Sequence, residues 1–337
     1  MHCVYNGRAM PVIPSPPRSI CILRLSAIGD VTHVLPVLHA IRRHWPQTAV
    51  TWICGALEYR LLSPIRGVEF IVFDKGRGWQ AYRDVRRQLK GRRFEVLLHM
   101  QVAARANLLS TLVKAGLRIG WDSTAARDLH GWFIDRAISD SAGRHQVDSF
   151  LAFAEALGLP GGAPQWDYPV ADEALEFAGR HIDATRRCLL ISPCSSHALR
   201  NWLPERYAEV ADYAISRHGM QVILSGGPDA REKAFGERIA AAMRQRADNL
   251  IGRDTLVQSM AMLQRAAVVL APDTGPAHMA NAVGTAVIGL YACTNPQRSG
   301  PYHSRHICID KYDQAARCFL GRPTDRLPWG KKSNRTG

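Results

Sequence analysis

Four stretches of the chain gather side chains able to bind or move charge, each at the end of an apolar run and the start of a helix-period segment. The first is Leu25-Ser26-Ala27-Ile28-Gly29-Asp30-Val31-Thr32. Asp30 there either caps the following helix, the usual work of Asp at such a place, or stands in a cleft as a carboxylate able to take a proton from a hydroxyl. The second, Ser192-Pro193-Cys194-Ser195-Ser196-His197-Ala198-Leu199-Arg200-Asn201-Trp202, sets two hydroxyls, Ser195 and Ser196, and the Arg200 cation at a helix approach. A diphosphate takes hydrogen bonds from amides and hydroxyls and charge from a guanidinium, so the segment suits one; it also reads as an ordinary polar loop. The third is Ser225-Gly226-Gly227-Pro228-Asp229 with Glu232 one turn on. Its glycines admit close backbone approach, and an acid there can accept from a ribose hydroxyl, although G-G-P turns are common. The fourth is Ala271-Pro272-Asp273-Thr274-Gly275-Pro276-Ala277-His278. The Thr274 and Gly275 amides and the positive end of a helix opened by Pro276 would face an anion. Asp273 alternatively caps that helix, and His278 alternatively packs in the core.

Positioning these loops requires strands that end where the loops begin. Strands are expected at Ser19–Leu25, Val50–Cys54, Glu69–Phe73, Val96–Met100 and Leu117–Gly120, and helices at Val34–Trp45, Trp79–Lys90, Ala103–Ala115 and Gln146–Leu157. After Gly158–Asp172, where three prolines and three glycines break any regular element, the alternation restarts. Strands fit Cys188–Ser192, Gln221–Ser225, Val268–Ala271 and Ala286–Tyr291; helices fit Pro204–His218, Asp229–Gln245, Thr255–Arg265 and Pro276–Val283. Strand–helix alternation of this kind builds parallel sheets covered on both faces. The expected class is α/β, two doubly wound domains in tandem, with ligands beyond the carboxyl ends of the strands and the cleft between domains as the site. The expected boundaries are a disordered tail at 1–18, a first domain at 19–160, a linker at 161–187, a second domain at 188–310 and a basic tail at 311–337, disordered from Gly321.

With 337 residues the chain has room for two cores. No run approaches the roughly 18 apolar residues of a membrane span, and the proline-containing first twenty residues are unlike a signal peptide. The 8 cysteines form no C-x-x-C pair, which points to a reduced cytoplasmic protein without a zinc site. The net charge is +14 and uneven. Residues 41–93 hold 12 basic against 4 acidic residues, net +8, and 311–337 hold 7 against 2, net +5. A basic first half fits an anionic partner, or simply a solvated helix face. The absent G-x-G-x-x-G disfavours a dehydrogenase, and the lack of interleaved basic and aromatic motifs disfavours nucleic acid as a partner.

Taken together, the S-A-I-G-D-V loop, Arg200-Asn201-Trp202-Leu203-Pro204, the G-G-P turn and D-T-G-P-x-H resemble glycosyltransferase family 9, the heptosyltransferases of the lipopolysaccharide inner core. The resemblance spans roughly residues 20–310. It implies the GT-B arrangement, two Rossmann-like domains, the first for a lipid-linked Kdo/heptose acceptor and the second for ADP-heptose. By motif, Asp30 matches the catalytic base of an inverting transfer, and Ser195, Ser196 and Arg200 match the diphosphate segment. Asp273, Thr274, Gly275 and His278 match the donor signature. Arg200 stands where the family commonly has lysine. Ala230 falls where some members have Glu, leaving Asp229 or Glu232 for the ribose. The family's Q-G-x-x-K appears as Gln101-Val102-Ala103-Ala104-Arg105, without its glycine, and G-x-D…A-R survives as Gly120-Trp121-Asp122 and Ala126-Arg127; Gln101, Arg105 and Arg127 are thereby acceptor candidates. No D-x-D pair stands in a suitable loop, so protein cations are expected to replace a metal, with no cofactor beyond the ADP-sugar. The resemblance further implies a cytoplasmic enzyme peripheral at the inner face of the membrane. The alternatives are a GT-B transferase using another nucleotide sugar, and a nucleotide-binding protein that transfers no heptose.

Overall fold

In the computed structural model, residues 15–126, 128–139 and 141–333 are described, together with residue 13 and the pairs 4–5 and 8–9. The chain forms two units, Met1–Asp167 and Tyr168–Gly337.

Unit 1 runs β1 (Ser19–Leu23), α1 (Ile28–His44), β2 (Ala49–Gly55), α2 (Ala56–Leu62), β3 (Val68–Phe73), α3 (Trp79–Gln88), β4 (Phe94–His99), α4 (Ala104–Ser110), β5 (Ala115–Gly120), β6 (Arg136–Ala137) and α5 (Gln146–Ala156). Its sheet is parallel, in the order β3-β2-β1-β4-β5-β6. Ile20 lies opposite Val50 on one side and Val96 on the other. Strands covered on both faces must be apolar almost throughout, and Ile20 to Leu23 of β1 are fully buried. The strand order reverses between β1 and β4, which opens the crevice where such sheets take ligands. The segment beyond β1 and β4 at this end holds the S-A-I-G-D loop and Gln101.

Helix α1 begins at Ile28, six residues before the expected Val34, and contains Pro36. A proline has no amide to give the carbonyl four residues back. The Trp166 indole supplies the missing donor to the Thr32 carbonyl, at 3.0 Å. The glycine- and proline-rich stretch is therefore fastened to unit 1 at Trp166.

Unit 2 repeats the pattern with α6 (Asp172–His181), β7 (Cys188–Ile191), α7 (Pro204–His218), β8 (Gln221–Leu224), α8 (Ala230–Ala242), β9 (Asp248–Asn249), α9 (Leu256–Arg265), β10 (Val268–Pro272), α10 (Gly275–Ala282), β11 (Val287–Tyr291), α11 (Pro296–Ser299), β12 (Ile309–Asp310) and α12 (Tyr312–Leu320). The sheet is again parallel, ordered β9-β8-β7-β10-β11-β12. Two expectations change. Part of the expected linker is α6, which packs on α9 through the buried Ala174 and Ala178, a face too small to stand out by hydrophobicity. The expected disordered tail is ordered as far as Ser333. Asp313 accepts from the Thr324 amide at 2.9 Å, and the Ser333 hydroxyl donates to the Ala292 carbonyl at 2.7 Å. A charged composition concealed these few anchors.

Candidate active site

At the carboxyl edge of β1, Asp30 sits in the first turn of α1. Its Oδ2 accepts from the Ala27 amide at 3.3 Å and forms an ion pair with the Arg24 guanidinium. The side chain of Asp30 remains one-third exposed. Arg24 is buried and held from several sides: Nη1 donates to the Met100 carbonyl at 2.6 Å, and the guanidinium lies 5.2 Å from the Phe150 ring centre. A buried cation needs such a partner, and Asp30 supplies the charge. The same Oδ2 thus serves both the start of α1 and the ion pair with Arg24.

Gln101 clamps the same loop. Its Oε1 accepts from the Leu25 amide at 2.7 Å and the Ser26 amide at 3.1 Å, and its Nε2 donates to the Ser26 hydroxyl at 3.2 Å. Its carboxamide is spent on the loop carrying Asp30, so it shapes the site from beneath. Sequence reading missed Glu58, in the first turn of α2. It is buried, and burial raises its carboxyl above the usual range against the opposing fields of Lys75 and Arg24. A Cβ on Gly55 would collide with this carboxylate and with the Leu25 carbonyl, so glycine is what lets Glu58 fold over the strand end. Had α2 been recognised, Glu58 would have marked a fifth strand-to-helix junction. Arg24 was legible as a lone charge leaving an apolar strand.

Of the other acceptor candidates, Arg105 is exposed in the first turn of α4, and Arg127 lies outside the described residues. Asp122 is buried, accepting from the Thr124 hydroxyl and from the Ser141 hydroxyl at 2.7 Å. Burial alone would raise its carboxyl; these hydrogen bonds bring it below the usual range.

In unit 2 the carboxyl ends of β7 and β10 bring together residues 73 positions apart. Arg200 Nη1 donates to the Asp273 carbonyl at 3.2 Å and lies 3.5 Å from Asp273 Oδ2. His278 Nε2 is 3.6 Å from Asp273 Oδ1. Burial pushes the Asp273 carboxyl up, but His278, Arg200 and Thr294 outweigh it and hold it below the ordinary value. The residue is a fixed anion between two basic groups. Thr274 precedes α10, and its buried Oγ1 has no hydrogen-bond partner among the described residues. Pro276 in the first turn fixes the helix start, where amides lack intrahelical partners. A guanidinium, a buried hydroxyl and a helix N-terminus thus gather at the carboxyl ends of two neighbouring strands, groups of the kind that can bind an anion.

The remaining donor candidates divide by role. Ser195 closes its own loop: its hydroxyl donates to the His197 carbonyl at 2.7 Å and its amide donates to Asn201 Oδ1 at 2.7 Å. Ser196 is exposed. Asp229 is the N-cap of α8, accepting from the Arg231 amide at 2.9 Å and pairing with the Arg231 guanidinium at 3.0 Å. Glu232 turns back to accept from the Gly227 amide at 2.7 Å, and burial raises its carboxyl.

Residues 82–324 match glycosyltransferase family 9 (heptosyltransferase). The lipopolysaccharide core heptosyltransferase OpsX of Haemophilus influenzae is 42% identical over 323 residues, 96% of this chain and 93% of its own. Among solved structures, a family 9 glycosyltransferase from Veillonella parvula superposes with a TM-score of 0.78 at 20% identity, covering 93% of this chain and 91% of that one. Escherichia coli heptosyltransferase WaaC with ADP gives a TM-score of 0.71 at 22% identity, covering 84% and 90%. These two likenesses concern the fold, which agrees with the α/β, GT-B expectation.

Proposed function

Because this chain belongs to glycosyltransferase family 9, the heptosyltransferases, we propose that it moves a heptose from ADP-heptose to the Kdo/heptose inner core of lipopolysaccharide, with inversion at the anomeric carbon. The observation that carries the donor half is the Arg200–Asp273–His278 cluster beside the start of α10. The acceptor class follows from the 42% identity to a lipopolysaccharide core heptosyltransferase.

The chemistry needs two things of the protein. A hydroxyl of the acceptor must lose its proton as its oxygen attacks the anomeric carbon, and the diphosphate oxygen must leave from the opposite face with the bonding electrons. Asp30 takes the proton. Its Oδ2 is engaged by Arg24 and the Ala27 amide, which leaves Oδ1 for the substrate hydroxyl. Arg200 and the amides at Thr274 and Gly275 receive the growing negative charge on ADP. These protein donors do the work a divalent metal would do, so transfer should persist in a chelator. Basic side chains of unit 1, Arg105 and Arg127 among them, meet the anionic acceptor. The enzyme works in the cytoplasm, peripheral at the inner leaflet; among the described residues no helix is long and apolar enough to cross a membrane.

The test is a calorimetric donor screen with ADP, UDP, GDP and NAD, followed by mass analysis of product from ADP-heptose and a Kdo-bearing acceptor. ADP preference and a heptose-sized mass gain are expected. A preference for UDP would favour the second reading, a GT-B transferase of another nucleotide sugar; NAD preference would remove the transferase reading of the pocket.

A further inference from the structure

Three large apolar side chains stand in solvent on one rim of unit 1: Trp79, 71% exposed, Leu129, 63%, and Trp132, 82%. They lie on segments leaving the carboxyl ends of β3 and β5, and α4, which follows β4, adds the exposed Leu108. This is the sheet edge that also presents Asp30. The segments carrying these side chains are linked by contacts along this edge. Trp79 packs on Tyr82 with ring centres 5.2 Å apart, and the Tyr82 hydroxyl donates to the Arg105 carbonyl at 3.5 Å. The Ala104 amide donates to the Asp128 carboxylate at 3.0 Å, and the Trp132 amide to the Leu129 carbonyl at 2.9 Å.

Cations cluster in the segment that carries Trp79. Residues 74–93 hold eight Lys and Arg against two acids, and both acids are engaged. Asp74 caps the turn at Gly76, and Asp84 pairs with Arg77 and Arg87. On α3, the exposed Arg83 and Arg86 follow Trp79 at spacings of four and seven, along one helix face.

We propose that this rim seats unit 1 on an anionic bilayer surface, with Trp79, Leu129 and Trp132 at headgroup level and Arg83 and Arg86 against lipid phosphates. Exposed indoles with Arg and Lys close by in the same segment, as at Trp79, are the pattern of side chains that rest in a membrane interface, and each cation adds attraction to anionic lipid. A lasting protein interface buries about 1,200–2,000 Å²; four side chains fall short of that but suffice for reversible adhesion. The proposal rests on the reading of the acceptor as a lipid-linked sugar, because that acceptor would then arrive on the side of the sheet where Asp30 stands.

The test is sedimentation of the full chain with vesicles of phosphatidylethanolamine alone or mixed with phosphatidylglycerol. The parent should favour the mixed vesicles and release in salt. W79A/W132A should weaken binding about tenfold at an unchanged melting temperature, and R83E/R86E should abolish the preference for anionic lipid. W79A/W132A should also transfer normally to an acyl-free acceptor while its KM for the vesicle-borne acceptor rises. In the parent, lipids brominated near the headgroup should quench tryptophan emission. Absent quenching, or W79A/W132A vesicle binding equal to the parent's, overturns the proposal. So does self-association of the parent that W79A/W132A abolishes while vesicle binding persists, since the rim would then hold a second copy. If no ADP-sugar is transferred, the transferase reading fails, and vesicle binding still decides the rim.

Discussion

Asp30 Oδ2 is engaged by Arg24 and the Ala27 amide, so the proposed base role falls to Oδ1, and that makes the proposal testable. An asparagine in its place can still accept from the Ala27 amide, so helix α1 keeps its start. Asp30→Asn should leave ADP-heptose affinity intact while turnover falls about 10²–10⁴-fold, the scale of a lost general base. Steady-state kinetics beside calorimetry checks this; a lowered Tm is expected in either case, because the buried Arg24 loses its counter-charge, and normal turnover would reduce Asp30 to a structural partner of Arg24 and the helix start. Arg200 differs from the free loop cation its sequence context implies, because it is bonded to Asp273. Arg200→Ala should lower donor affinity and turnover together. It should also cost about 1–3 kcal/mol of stability, since the buried Asp273 loses a charged partner. Arg200→Lys should recover most of the affinity, one ammonium replacing one arm of the guanidinium. Chemical denaturation alongside donor titration separates the two effects.

At the scale of the element, some parts of the candidate site are held by side chains from elsewhere and others by their own turns. Trp166 supplies the hydrogen bond Pro36 removes from α1. Trp166→Phe keeps an aromatic side chain, though a smaller one, and loses the donor, leaving a carbonyl inside α1 short of a partner. We expect a stability loss of about 1–3 kcal/mol, read from the urea midpoint, with turnover little changed. In unit 2 the two candidate ribose acids serve different elements, Asp229 capping α8 and Glu232 bracing the Gly226–Gly227 turn. Asp229→Asn preserves the cap, whereas Asp229→Ala should cost about 1 kcal/mol, with donor affinity unchanged in both. Glu232→Gln should weaken donor binding at nearly constant Tm. These outcomes would assign the ribose contact to Glu232, and the opposite order would assign it to Asp229.

At the scale of the whole molecule, stability should fall on the acid side for an identifiable reason. His99 and His130 both donate to Asn107 Oδ1 at 3.0 Å, with ring centres 4.4 Å apart. Burial above all pushes their pKa values down, to about 3 for His99 and about 4 for His130. Both rings are therefore neutral in the folded chain near neutral pH but take protons in the unfolded chain below about pH 6.5. Their contribution is fully present above that pH and is lost as pH falls toward the folded values. The slope approaches about 1.4 kcal/mol per pH unit for each ring. Urea unfolding between about pH 7 and pH 5 should show it, and His99→Gln should reduce the slope.

Sequence alone determined the alternation of apolar strands with amphipathic helices, because a parallel strand buried on both faces admits few polar residues. Helix α7 falls on its expected span, Pro204–His218. Sequence also determined the four strand-to-helix junctions, since glycine, proline and small polar residues cluster where a chain must turn and expose amides. Tertiary structure decided which of those residues meet. That Arg200 would bond to Asp273 depended on β7 lying beside β10, a pairing across about eighty residues that no local pattern encodes. The same holds for Gln101, directed onto the Ser26 loop because β4 neighbours β1. The two-residue strands β6, β9 and β12, and helix α6 with its two buried alanines, were invisible for the opposite reason. Elements so short and so weakly apolar owe their form to the neighbours they pack against, and those neighbours exist only once the sheets have assembled.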